Sequence, residues 1–394
     1  MASTQCLKRL KNLPQIKVGL ALSDAGVYYR DDRKIPEDLA IFFQAYQSKL
    51  DTQGLFIEFQ PEAPWIKQEA GSQYAVDENN SWLKLGKAFK GEETNSAYAE
   101  VIEALRNPDN IFGVHQSIAD MDVLSKDLHK RLVTIESTQQ AMLFAQLISA
   151  DYFVFHLAQS KDYWDWNRGE QISIALRAFQ ELAGFYKSSG FTFTPLLENL
   201  EFPKFPATAE EMVSMFNTCR ELLPNLRLCF DLSHLWHSRI LLLENRNKFR
   251  RQIPNFSLLE ASFDDYLDYT MEELFIEEGV SGEDIFLFHL GGCWGHLTHE
   301  IPGLRPEESP FVQKLRLDEP VYSYDPQIEM NLKNVLTKIL RYSLENRRNL
   351  LLMLEIHKKD YSEMLEAGKL LQADLTKKTD RIMAKVCKYA YLWE

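Results

Sequence analysis

Residues 226–236 read LRLCFDLSHLW, an apolar run that stops on Asp231 and is followed three residues later by His234. A short apolar run between polar flanks is the pattern of a strand buried on both faces, as in a parallel sheet covered by helices. The pattern recurs at IKVGLAL from Ile16, GLFIEFQ from Gly54, NIFGVHQ from Asn110, DYFVFHL from Asp151, TFTPLLE from Thr192, DIFLFHL from Asp284 and LLLMLEI from Leu350. Stretches of helical period lie between the runs, among them PEDLAIFFQAYQSKL, IESTQQAMLFAQLISA, EEMVSMFNTCRELL and MNLKNVLTKILRYSLEN. Strand and helix alternating in this way predict a single (β/α)8 barrel domain over residues 1–394. The spacing between runs exceeds the roughly 30 residues of a βαβ unit most after the second, sixth and seventh. Long insertions are therefore expected near 61–95, 239–280 and 291–325, as loops at the C-terminal face of the strands.

The composition agrees with a folded enzyme-sized chain. Hydrophobic residues make up 45% and aromatics 12% of the 394, enough for a large core and too many for a disordered chain. Lys and Arg number 44 against 57 Asp and Glu, a formal charge of -13 that repels polyanions and gives nucleic acid no general footprint. The five cysteines, Cys6, Cys219, Cys229, Cys293 and Cys387, form no CxxC pair and read as buried or free thiols. Residues 1–15 hold no apolar signal core, and no apolar run approaches the ~18 residues of a spanning helix. A cytoplasmic protein without membrane attachment is the expectation.

In this fold the active site is built where strands end at their carboxyl side, so polar residues that finish an apolar run are the ones to read. In strand order they are His115, His156, Glu198, Asp231 with His234, His289 and Glu355, and His299 follows ten residues after His289. Each has a bland reading: a strand-end histidine is commonly a hydrogen-bonded core residue, and Asp231 to His234 has the spacing of a helix cap. A carboxylate closing an apolar run, as in LLENLEF and LMLEIH, needs a partner to offset its desolvation. Imidazoles and carboxylates converging on one mouth suit zinc, with manganese and iron as alternatives, and exceed the four ligands of one tetrahedral zinc.

The ordered set VFHLAQS, LLENLEF, CFDLSHLW, FHLGGC, THEIPG and LEIH resembles the xylose isomerase-like barrel superfamily, and within it is most similar to endonuclease IV. That resemblance implies a multinuclear metal site and phosphoester hydrolysis. By it, His115, His156 and Glu198 hold one ion, and Glu198 bridges to a second completed by Asp231, His289 and Glu355. His234 and His299 match histidines of a third site, whose aspartate position is Leu297 here. Two ions are expected and the third lacks its carboxylate, for which His296 and Glu300 are the nearby substitutes. Sugar isomerases and epimerases of the same superfamily use one ion held by a set that Glu198, Asp231, His289 and Glu355 match equally well. There Glu198 and Glu355 are the catalytic acid and base. A third reading is a non-catalytic metal-binding partner protein.

The expected substrate is therefore a small molecule or a phosphoester. Trp164 and Trp166 after the fourth strand could stack on a ring, and Arg246 and Arg250 in NRNKFRRQ could grip a phosphate. Rim packing and a solvated helix face are the alternatives. The P-loop, GxGxxG, GxSxG and HExxH patterns are absent.

Overall fold

A computed structural model describes residues 15–22, 35–50, 54–61, 66–68, 74–92, 98–117, 122–125, 127–157, 168–294, 297–300, 330–356 and 361–390. Eight parallel strands close a barrel: β1 (Ile16–Leu22), β2 (Phe56–Phe59), β3 (Ile111–His115), β4 (Tyr152–Phe155), β5 (Thr194–Glu198), β6 (Arg227–Asp231), β7 (Ile285–Leu290) and β8 (Leu350–Leu354). Each strand pairs with its sequence neighbours, and β8 closes on β1. The eight runs read from the sequence are these eight strands, and the molecule is a single (β/α)8 barrel. Helices cover it from outside, from Ile35–Leu50 after β1 to Tyr361–Ala390 after β8.

Side chains alternate along a strand, so every second residue enters the barrel. Ala21, Phe56, Tyr152, Val154, Leu196, Cys229, Leu287 and Met353 meet there as one apolar layer. Two residues further along their strands the same alternation delivers Glu58, His156, Glu198, Asp231, His289 and Glu355, all at most 4% exposed. The period of two thus stacks an ionisable layer directly on an apolar one. His115 joins it from Gly113, where a Cβ would come within 2.1 Å of the Tyr152 ring. Gly113 is the gap that this tyrosine fills.

The insertion after β6 is helical and its beginning is at the mouth. Asp231 caps the helix Leu232–Glu244, which leads into short helices Arg246–Phe249 and Phe256–Glu260. Phe249 packs on Phe202 of the loop following β5, with ring centroids 5.1 Å apart. The chain then descends beside the helix Ala209–Leu222: Tyr266 Oη accepts from Ala209 N at its start, and Asn217 Nδ2 donates to Glu278 O further down. After β2 an antiparallel hairpin pairs Ile66–Gln68 with Tyr74–Val76, and after β7 a second pairs Gly292–Trp294 with Leu297–Glu300. Positions 301–325 of the third insertion lie outside the described residues. Cys219, Cys229 and Cys293 are buried, and no described helix is long and apolar enough to cross a membrane.

Replacing Gly113 by Ala forces a methyl group into the Tyr152 ring. Overpacking of this kind costs about 1–3 kcal/mol, and urea unfolding of the G113A chain is expected to show a midpoint lowered accordingly with unchanged denaturant slope.

Candidate metal centre

Glu198 stands at the centre of the polar layer. Its Oε2 is 3.0 Å from His115 Nε2 and 2.5 Å from His156 Nε2, and its Oε1 is 2.8 Å from His289 Nδ1. His289 Nδ1 also lies 3.4 Å from Glu355 Oε2 and 3.8 Å from Asp231 Oδ2. Asp231 does cap its helix, as its spacing to His234 allowed, through Oδ1 and His234 N at 2.5 Å. Its backbone is clamped by Asn199, whose side chain bonds both Asp231 N (2.8 Å) and Asp231 O (2.7 Å). Asp231 Oδ2 is left buried without a hydrogen-bond partner.

His299 reaches the layer from the hairpin beyond β7, with Nε2 3.5 Å from Glu355 Oε2. Its backbone is left-handed, φ 58°, a conformation that costs a non-glycine residue strain and so marks a position held by its surroundings. Gly291 makes the fold-back feasible, since a Cβ there would sit 2.6 Å from His299 Cα.

The donor pattern is that of a cation site. A carbonyl or carboxylate oxygen can only accept, so His115 must donate Nδ1–H to Gln116 O (2.7 Å) and His234 must donate Nδ1–H to Asn199 O (2.9 Å). The opposite nitrogen of each then faces a carboxylate: Glu198 for His115, and Glu201 Oε2 at 3.1 Å for His234. His289 has a carboxylate on both sides, Glu198 at Nδ1 and Glu58 Oε2 at 3.1 Å from Nε2. Such imidazoles must carry a second proton or lend a lone pair to a metal, which draws the same carboxylates. Four groups of three or four residues offer ligand atoms within 4.8 Å of one another: His115, His156, Glu198; Glu198, Asp231, His289, Glu355; Asp231, His234, His299, Glu355; and Glu198, Cys229, His289. The residues fit divalent ions.

The electrostatics follow from burial and crowding. Burial works against charge on His115 and His289, yet Glu198, Glu58 and Glu355 around His115, and the Cys229 thiol with Glu58 and Glu198 around His289, prevail and raise both pKa values. His234 is raised to about 9 against burial by Asp231, Glu201, Glu198 and Glu355. His156 goes the other way, to about 4, through burial and the neighbouring His115, so it is neutral at pH 7 as a ligand must be. Glu198 and Glu355 are held well below the carboxylate range: burial opposes this, but His289 and His156 charges outweigh it at Glu198, as those of His299 and His289 do at Glu355. Asp231 is raised to about 6, by burial first and then by Glu355 and Glu198.

All the expected ligands, His115, His156, Glu198, Asp231, His234, His289, His299 and Glu355, converge on this mouth. The arginines are not among the residues gathered there. The helix from Asp231 carries the chain about 20 Å away, at 1.5 Å per residue, before Arg246 is reached, and both Arg246 and Arg250 are exposed, with Arg250 paired to Glu260 at 3.3 Å. Trp164, Trp166 and His296 lie outside the described residues. Two carboxylates were missed. Glu58 sits inside the run GLFIEFQ rather than at its end, and its signal is a charge two residues after the inward Phe56. Glu201 follows Glu198 in LLENLEF; its Oε1 is paired to Lys204 at 2.6 Å, and Lys204 and His234 hold its pKa low against burial.

A model of the xylose isomerase-like TIM barrel family matches residues 77–301. No curated protein matches the sequence. Among solved structures, a D-tagatose 3-epimerase-like protein aligns over 93% of this chain and 100% of its own, with 13% identity and TM-score 0.52. An L-ribulose 3-epimerase aligns over 94% and 98%, with 12% identity and TM-score 0.50. The AsfvAP:AG structure aligns over 93% and 99%, with 12% identity and TM-score 0.49. At these identities the likeness is one of fold.

A divalent ion added to metal-free protein at pH 7.5 is expected to raise the melting temperature, by the equivalent of about 2.7 kcal/mol at a concentration 100 times Kd. The increment shrinks as pH falls through about 6. Asp231, with its folded-state pKa raised to about 6, then takes a proton, which stabilises the metal-free fold relative to pH 7 and removes a ligand. Scanning calorimetry with and without zinc or manganese from pH 5 to 8 checks this.

Proposed function

The chain belongs to the xylose isomerase-like TIM barrel family, and from that premise we propose that it is a divalent-metal-dependent isomerase or epimerase acting on a sugar or polyol. The observation that carries this reading is the four-residue set Glu198, Asp231, His289 and Glu355, whose ligand atoms lie within 4.8 Å of one another. It is the set with which a one-ion enzyme of this kind works, and two of the similar structures are named as 3-epimerases or epimerase-like. An ion bound there supplies polarisation of the substrate's carbonyl and hydroxyl oxygens. The protein's own part is proton transfer next to that carbonyl. Glu198 and Glu355 are depressed below the carboxylate range and stay ionised at neutral pH, the state a base needs. His115 and His156 fix Glu198 through Oε2, leaving Oε1 toward the centre, while Gln60 Nε2 donates to Glu355 Oε1 at 2.9 Å and leaves Oε2 there. Glu198 and Glu355 are 0% and 3% exposed, so bulk water does not compete for the proton.

The second reading is phosphoester hydrolysis, the leading expectation from the sequence, and one observation favours it. His115, His156 and Glu198 form a ligand group of their own, and Asp231, His234, His299 and Glu355 form another, more donors than one ion takes. The family match and the similar epimerase folds support isomerisation more broadly than this does.

Elemental analysis of the wild type beside a His115→Ala, His156→Ala chain separates the two. One ion per chain, retained in the double mutant, with turnover on a panel of ketoses and aldoses, is the expected result. Two or more ions, falling by about one in the mutant, with turnover on bis-nitrophenyl phosphate or an abasic oligonucleotide, would transfer the assignment to hydrolysis.

A further inference from the structure

Strand β2 supplies none of the expected ligands, yet it places a carboxylate in the polar layer. Glu58 is fully buried, and a buried carboxylate is costly unless it is paired. Among the described residues it belongs to none of the groups that could hold an ion. Its contacts show what it does instead. Oε2 lies 3.1 Å from His289 Nε2, and Oε1 accepts from Gln60 Nε2 at 3.0 Å. The same Gln60 amide donates to Glu355 Oε1 at 2.9 Å. Glu58 and Gln60, two residues apart, thus grip two of the four groups of the central set from outside it.

The direction of the hydrogen bond gives the grip its effect. His289 is faced by Glu58 at Nε2, by Glu198, Glu355 and Asp231 around Nδ1, and by the Cys229 thiol of the layer below. When Nε2–H donates to Glu58, the Nδ1 lone pair points at Glu198, Asp231 and Glu355, the tautomer and ring orientation that a ligand requires. Gln60 does the corresponding thing for Glu355, occupying Oε1 so that Oε2 is presented. We infer that Glu58 and Gln60 are positioning residues of the metal centre: Glu58 fixes the tautomer and ring orientation of His289, and Gln60 the carboxylate orientation of Glu355. This inference rests on the metal-centre reading above.

The test uses the full-length chain loaded with cobalt(II), whose visible bands report ligand geometry. Glu58→Gln keeps the shape but replaces the carboxylate by a neutral amide that can also present a donor to Nε2. It is expected to weaken cobalt binding by about 10–100-fold in chelator competition and to alter the visible bands, while circular dichroism stays that of the wild type. Glu58→Asp, which restores the charge, is expected to recover part of the affinity. Wild-type affinity and bands in E58Q would overturn the inference. A wild type that binds no cobalt would instead overturn the metal-centre reading, so the two failures are distinct. If E58Q does not fold, Gln60→Met removes only the amide bridge and is read in the same way, with unchanged affinity and bands again the contrary result.

Discussion

One charge organises the mouth of this barrel. Glu198 carries its carboxylate to a place with no solvent exposure, and imidazoles from β3, β4 and β7 close on its two oxygens. Burying a carboxylate in a dry interior costs several kcal/mol unless opposite charge and hydrogen bonds surround it. The cost recurs at Asp231, whose Oδ2 finds no hydrogen-bond partner, and at Glu58 and Glu355. The strands set the spacing, the alternation sets the layer, and the layer needs positive charge, as protons or as metal.

Three of the histidines, His115, His234 and His289, show the same division of labour. One nitrogen is tied to an acceptor that fixes the ring: Gln116 O for His115, Asn199 O for His234 and Glu58 for His289. The other nitrogen faces a carboxylate. A metal ion takes the place of the second proton in such a pair, so the geometry that makes these imidazoles strong bases without metal is the geometry that makes them ligands with it. Asp231 serves twice, capping the helix Leu232–Glu244 with one oxygen and presenting the other to the centre.

The barrel was legible because buried parallel strands leave uninterrupted apolar runs, and most of the candidate ligands because they end those runs. LRLCFDLSHLW carries both signals within eleven residues. Glu58 escaped because reading the ends of runs overlooks a charge inside one; counting by twos from Phe56 finds it, since alternation rather than termination decides what enters the barrel. The role of Arg246 and Arg250 was not legible for another reason. A basic cluster says nothing about direction, and the helix that begins on Asp231 leads it away to solvent. The fold shared with epimerases could not by itself choose between the two activities, because the set Glu198, Asp231, His289 and Glu355 is compatible with both.

The most direct test of the central claim is an anomalous difference map from crystals grown with manganese or zinc. A peak between Glu198, Asp231, His289 and Glu355, about 2.0–2.1 Å from His289 Nδ1 as for zinc, is the predicted result. An empty centre in a well-ordered map, with the imidazoles still bonded directly to the carboxylates, would contradict it.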